Sequence, residues 1–295
     1  MNHPDSRNRF LIESCDVRGQ LVRLNQCWKD ARARTQYPDK VQQVLGEAFA
    51  ATALLAGTIK YDGKLTLQVR GSGDIHLLVV QITSDGRMRG LARWNREPAD
   101  TALIKMFGAD ARMTISIEAN QYSEPYQGIV PLEGDTLADA INHYFLVSEQ
   151  LKTALYFAVS DNSVSGMLLQ ALPATEQQHN DDDGWPRAVA LADTLTAEEL
   201  QSNDVQTILH QLYHEEQVRL FALDSLQFKC SCSRQRTDSM LFGLGEQEVL
   251  DIVKEQGAVN INCEFCDAEY AYDAVDVAAL FKGVQGEVDT TSVPH

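Results

Sequence analysis

Four of the six cysteines in this chain form two close pairs, Cys230-Ser-Cys232 within FKCSCS and Cys263-Glu-Phe-Cys266 within NCEFCD, with thirty residues between the pairs. Four thiolates are the tetrahedral shell of a structural zinc ion, and two pairs brought together supply all four sulfurs. Cys230, Cys232, Cys263 and Cys266 are therefore the candidate ligands of one Zn2+. The competing reading is four inert, buried thiols. C-x-C is less usual than C-x-x-C in zinc ribbons, so the pattern speaks for metal but away from an ordinary ribbon.

The same spacing has a redox consequence. A disulfide within either pair would close a loop of only a few residues and add little chain-entropy stabilisation. In C-x-C it would also be strained and readily reduced. Zinc, by contrast, ties Cys230 to Cys266 across the whole unit. That unit is roughly 60 residues long with few large apolar side chains, a size that commonly needs a staple. In such domains metal binding free energy is folding free energy. The expectation is a unit folded when reduced and unfolded when oxidised. Glu264, Asp267 and Glu269 flank the second pair. Without metal they would disfavour thiolate, the reverse of what a disulfide-exchange enzyme needs.

The elements around the cysteines are partly legible. Gln247–Glu255 reads as a helix ended by Gly257, and Val259–Asn262 as a strand running into the second pair. Tyr270–Tyr272 and Val275–Phe281 complete the small unit. Upstream, residues 1–172 mix strand and helix signals. Asp39–Ala56 reads as a helix with Val41, Val44, Leu45, Ala48, Thr52 and Leu55 near one face, started by Pro38 and ended by Gly57. Lys64–Arg70, His76–Thr83 and Met88–Trp94 read as a meander of antiparallel strands joined by Gly- and Asp-containing turns. Met113–Ala119, Tyr126–Leu132, Ala154–Val159 and Val164–Leu172 read as further strands, and Leu137–Gln150 as a helix. The fold class is α+β.

The texture changes at Pro173. Ala174–Pro186 is polar and reads as an exposed linker. Thr196 and Glu199 form a capping-box signature with Leu195 and Leu200 as its staple. Val205, Ile208, Leu209 and Leu212 mark a second short amphipathic helix. Helices this short are marginal alone, so the segment must lean on something. The organisation is a core domain over 1–173, an acidic metastable linker over 174–228, a four-cysteine domain over 229–285 and a tail over 286–295.

Charge narrows the partners. The net of -17 is unevenly spread: residues 1–172 carry -1, residues 173–228 carry -9 and residues 229–295 carry -7. An acidic surface repels a phosphate backbone, so nucleic acid is not an expected partner. The longest weakly polar run, AFAATALLAG, is about half the length that crosses a bilayer, and MNHPDSRNRF has no apolar signal segment. A cytoplasmic protein with reduced cysteines is expected, with no membrane partner.

FKCSCSRQR, LGEQEV and VNINCEFCDAEYAY, with YFLVSEQ and GMLLQALP upstream, resemble the redox-regulated holdase chaperones, the bacterial heat-shock family of about 33 kDa. The resemblance spans essentially the whole chain. It implies a client-binding N-terminal domain, a metastable linker and a redox switch whose four cysteines hold zinc in the reduced, inactive form. It implies that oxidation pairs Cys230 with Cys232 and Cys263 with Cys266, releases zinc, unfolds switch and linker, and favours homodimers over monomers. It implies binding of unfolding client proteins without ATP; no G-x-x-x-x-G-K-[ST] loop is present. Leu195, Leu200, Val205, Ile208, Leu209 and Leu212 are the candidate linker residues that become exposed to clients.

Two other functions compete. A thiol-disulfide oxidoreductase would need an exposed, low-pKa cysteine, which the acidic flanks oppose. A zinc-ribbon nucleic-acid adaptor would need a basic face. Cys15 and Cys27 read as ordinary partly buried thiols, His210 and His214 as a solvated helix end, Gly71-Ser-Gly73 as a hairpin turn, and Asp181–Asp183 as solvated linker.

Overall fold

The computed structural model describes residues 5–33, 35–119, 126–172 and 183–285. Contacts divide the chain into two units, Met1–Lys229 and Cys230–His295. In chain order the first contains β1 (Ser6–Ile12), β2 (Val17–Leu24), α1 (Gln26–Arg32), α2 (Asp39–Ala56), β3 (Gly63–Arg70), β4 (Ile75–Thr83), β5 (Arg87–Trp94), α3 (Leu103–Phe107), β6 (Arg112–Ala119), β7 (Tyr126–Pro131), α4 (Leu137–Tyr144), β8 (Thr153–Val159), β9 (Val164–Ala171), α5 (Gly184–Ala192), α6 (Ala197–Ser202), α7 (Val205–Tyr213), β10 (Val218–Ser225) and β11 (Gln227–Phe228). The second contains α8 (Arg234–Leu244), α9 (Glu246–Gln256), β12 (Val259–Asn262), β13 (Glu269–Tyr272) and α10 (Ala274–Gln285). The α+β class holds.

Two sheets build the first unit. One runs β10-β1-β2-β9-β8 and is antiparallel throughout. The other runs β11-β5-β4-β3-β6-β7, antiparallel except where β11 lies parallel to β5. The expected meander is β3-β4-β5, and Gly86 takes the positive φ of 82° that its second turn requires. Helix α2 packs on strands of both sheets. It therefore buries nearly its whole circumference, Ala48 through Ala56 included, rather than the single stripe its periodicity suggests. Small alanines suit a helix gripped on two sides.

The first sheet is covered on its other face as well. Phe10, Ile12, Val17, Leu21, Met167 and Leu169 form a separate core with Ala188, Ala192, Leu200, Ile208, Leu209 and Leu212 from α5–α7. This explains β9, where every residue from Val164 to Gln170 is buried: a strand covered on both faces loses its alternation.

Two expectations need correction, and two elements had no counterpart in the sequence reading. The helix from Leu137 ends as an α-helix at Tyr144, continues as one π turn over Phe145–Glu149, and stops where Gln150 enters the left-handed region at φ 56°. Leu146 and Val147 in that turn are exposed, so no core holds a regular helix there. The polar segment ending at Pro186 is helical from Gly184, where a Cβ would meet the Cys15 backbone at 2.9 Å, so only glycine fits without a shift. Residues 174–182 of that segment, including Asp181 and Asp182, lie outside the described residues. Finally, α8 and β10 lack a strong sequence pattern: α8 buries only Leu241, and β10 is an edge strand with no fully buried residue.

Candidate metal centre

The second unit is organised around its cysteines. Leu241, Val249, Val253, Val259, Tyr272, Val277 and Phe281 form its small core. Gly245 at φ 93° separates α8 from α9, and Gly257 at φ 83° turns the chain from α9 into β12. Strands β12 and β13 pair from Val259↔Tyr272 to Asn262↔Glu269, so the residues between them, Cys263 to Ala268, form the hairpin loop. Cys263 N–H donates to Ala268 O at 2.9 Å and Asp267 N–H to Cys263 O at 2.7 Å. Asp267 sits at φ 55°, a conformation in which aspartate is tolerated better than most residues. The loop thereby holds Cys263 and Cys266 on one turn. The first pair lies just before α8, whose N-cap Ser233 accepts from Arg236 N–H.

All four sulfurs come together, each within 4.8 Å of the others, and theirs is the one such cluster of three or more potential ligands among the described residues. Cys230 Sγ lies 3.5 Å from Cys263 Sγ, and Cys232 Sγ 3.3 Å from Cys266 Sγ. A tetrahedron with metal–sulfur distances near 2.3 Å puts sulfurs roughly 3.8 Å apart, so the cluster is of the right size. Backbone N–H groups of Phe265 and Cys266 point at the Cys263 sulfur, and that of Ala268 at the Cys266 sulfur. These donors favour a negatively charged sulfur. Burial opposes them and is the largest effect, pushing both thiols above the ordinary cysteine value. Desolvation, rather than the flanking carboxylates, is thus the main force against a bare thiolate. A divalent cation would reverse that balance. Donor set, spacing and oriented amides fit a four-thiolate metal.

Residues beyond the cysteines shape the site. Tyr270 hydrogen-bonds Cys232, which pushes its hydroxyl up to about 12. Tyr272, 1% exposed, donates to Asp238 Oδ1 at 2.6 Å, and the Arg234 guanidinium lies 4.3 Å above its ring. This ties α8 to β13. The alternating aromatics of EYAY are the sequence signal for it.

The remaining candidates lie in the first unit. Leu200, Ile208, Leu209 and Leu212 are buried, while Leu195 and Val205 are partly buried against the same core. Arg23 on β2, 7% exposed, donates to Leu200 O at 3.0 Å and Asn203 O at 2.5 Å, capping the negative end of α6. Thr196 and Glu199 form the expected capping box. Arg187 on α5 binds Glu216 at 2.7 Å, and Ser14 also donates to Glu216. Cys15 and Cys27 are buried in different cores, and burial raises both thiols. His210 and His214 are exposed on and just after α7. Gly71 to Gly73 lie in the β3–β4 turn.

Comparison with known proteins agrees with this layout. The family described as Hsp33 protein matches residues 5–273. A 33 kDa chaperonin of Chromobacterium violaceum is 42% identical over 282 residues, 95% of each chain. One of Pseudomonas aeruginosa is 42% identical over 297 residues, 98% of this chain and 99% of that one. The crystal structure of the 33 kDa chaperonin (Heat shock protein 33 homolog) from Thermotoga maritima aligns with a TM-score of 0.79 over 96% of this chain and 100% of its own, at 22% identity, which speaks to the fold. By its match along nearly its whole length, and by its relatives, this chain belongs to the Hsp33 family.

Proposed function

We propose that this protein is a redox-switched, ATP-independent holdase chaperone, a binder of unfolding proteins rather than an enzyme. The relatives named 33 kDa chaperonin support the chaperone reading. The observation that carries the switch is the convergence of four sulfurs within 4.8 Å from the start of the small unit and from its β12–β13 hairpin loop. Cys230, Cys232, Cys263 and Cys266 would hold one Zn2+ in the reduced, inactive state. When bound, the metal supplies a cross-link and keeps the four thiols deprotonated.

A peroxide then oxidises each cysteine pair. The two thiolates of a pair give up two electrons and form one S–S bond, while the O–O bond of one peroxide breaks and, with two protons from solvent, becomes two waters. Cys230 pairs with Cys232 and Cys263 with Cys266, as the family resemblance implies. The small unit loses its long-range tie and unfolds. The linker over 174–228 follows, and α5–α7 leave the first sheet. Leu200, Ile208, Leu209 and Leu212, with Leu195 and Val205, then become apolar surface for clients, as do Phe10, Ile12 and Leu169 beneath them. A homodimer of this opened form is the working state. Among the described residues no helix is long and apolar enough to cross a membrane, and the acidic second half of the chain disfavours nucleic acid. Cytoplasmic residence fits a cluster that requires reduced thiols.

Light scattering of a thermally unfolding client enzyme tests this. The reduced, zinc-loaded protein is expected to leave aggregation unchanged, and the peroxide-treated, zinc-free protein to suppress it. Equal suppression by both would refute the switch, and suppression by neither would refute the chaperone.

A further inference from the structure

We propose that the first unit carries a binding site for an aromatic organic phosphate, in the cleft between β1–β2, the C-terminal end of α2 with the loop that follows it, the β4–β5 turn and β10. The cleft has a volume of about 730 Å³, within the usual range for small-molecule sites. Its charge runs against the rest of the molecule. In a chain of net -17, Arg7, Arg9, Arg18 and Lys60 line it against one carboxylate, Asp224.

That carboxylate is already used: it lies 2.9 Å from Arg7 and 3.7 Å from Arg9. Among the described residues Arg18 has only neutral partners, the Gln170 amide oxygen at 2.9 Å and Thr58 O at 3.5 Å. An excess of three positive charges favours a phosphate dianion over a single carboxylate.

Gln20 supplies the second observation. Its side chain lines the cleft and is 3% exposed, yet its Oε1 has no hydrogen-bond partner among the described residues. A buried acceptor of this kind wants a donor, which a ligand hydroxyl or amine provides. The placement is built into the backbone. A Cβ on Gly57 would sit 2.0 Å from Gln20 Oε1 and 2.8 Å from Arg7 Nε, so glycine is what admits both polar groups at the end of α2. Ile59, Tyr61 and Phe221 give the cleft apolar and aromatic walls, which suit a flat ring.

The ligand class is therefore a phosphate monoester on an aromatic or nucleoside body that carries a donor. The test is calorimetric titration of the full-length, reduced, zinc-loaded protein at low ionic strength, using AMP as the probe, with inorganic phosphate and adenosine as separate arms. Saturable AMP binding, at least about tenfold tighter than either fragment, is expected. Arg18→Gln should weaken it about tenfold, the effect of losing a charge-assisted contact, and Arg18→Lys should recover part of the loss. Lys60→Gln lies on an exposed residue, tests the charge without disturbing the core, and should weaken binding less. Circular dichroism verifies that each variant is folded. Absence of saturable AMP binding, equal binding of phosphate alone, or unchanged affinity in both charge-removing variants would overturn the proposal.

Discussion

Oxidising the four cysteines to one disulfide within each pair should unfold the second unit, and the size of the effect follows from loop lengths. One ion on all four sulfurs closes three independent loops. Two are local, of three and four residues. The third joins residues 33–34 positions apart, as in the Cys230–Cys263 and Cys232–Cys266 contacts. In chain-entropy terms a local loop is worth about 1.5–2 kcal/mol and the long one about 4 kcal/mol. Two local disulfides retain the first two terms and forfeit the third. A domain of this size rarely has more than about 3–5 kcal/mol from its core, and this core contains seven buried residues. Losing about 4 kcal/mol therefore takes the unit from almost fully folded to roughly half unfolded or beyond. Hydrogen exchange at Val253, Val259 and Tyr272 reads this directly, and disulfide mapping by mass spectrometry on the same sample fixes the pairing. The closest sulfurs in the reduced geometry run across the pairs. Oxidation to Cys230–Cys263 and Cys232–Cys266 would keep the long loop closed and the unit folded. Protected amides in a sample mapped to the two local disulfides would refute the reasoning.

Other outcomes can be checked separately. Ile208→Ala, at a site 1% exposed, should cost about 2–5 kcal/mol, loosen α5–α7, and give client protection without oxidation; a reduced variant that stays inactive and protease-resistant would disconnect these helices from activity. Tyr272→Phe removes the bond to Asp238 and should lower the stability of the second unit by about 1–2 kcal/mol, measured by denaturant titration of the zinc-loaded protein. The Arg187 guanidinium, with the Ser14 hydroxyl, holds Glu216 below the usual carboxylate range. Its stabilisation is therefore present above the unfolded value of about 4.3 and is lost as pH falls through the lower folded value. Limited proteolysis between Asp183 and Glu216 should accelerate in that acid window in the wild type, and Glu216→Gln should flatten the dependence.

Much of the metal centre was written locally. C-x-C and C-x-x-C each place two sulfurs on one turn whatever the rest of the chain does, and the Thr196–Glu199 capping box and the glycines at 245 and 257 act through their own neighbours. The meander β3-β4-β5 was legible for the same reason: turn residues and alternation act over a few positions. What the sequence could not reveal depends on partners far along the chain. Whether Leu200, Ile208 and Leu212 face water or a sheet is decided by Phe10, Ile12 and Leu169, which their own periodicity does not encode. The edge strand β10 takes its place from pairing with β1, more than 200 residues away. Arg23 reads as a surface charge until α6 presents its carbonyls, and the basic cleft exists only because β1, α2 and β10 bring Arg7, Gly57 and Asp224 together. Short-range sterics and ligand chemistry are properties of a motif, whereas burial and charge pairing are properties of a surface, and the fold alone assembles surfaces.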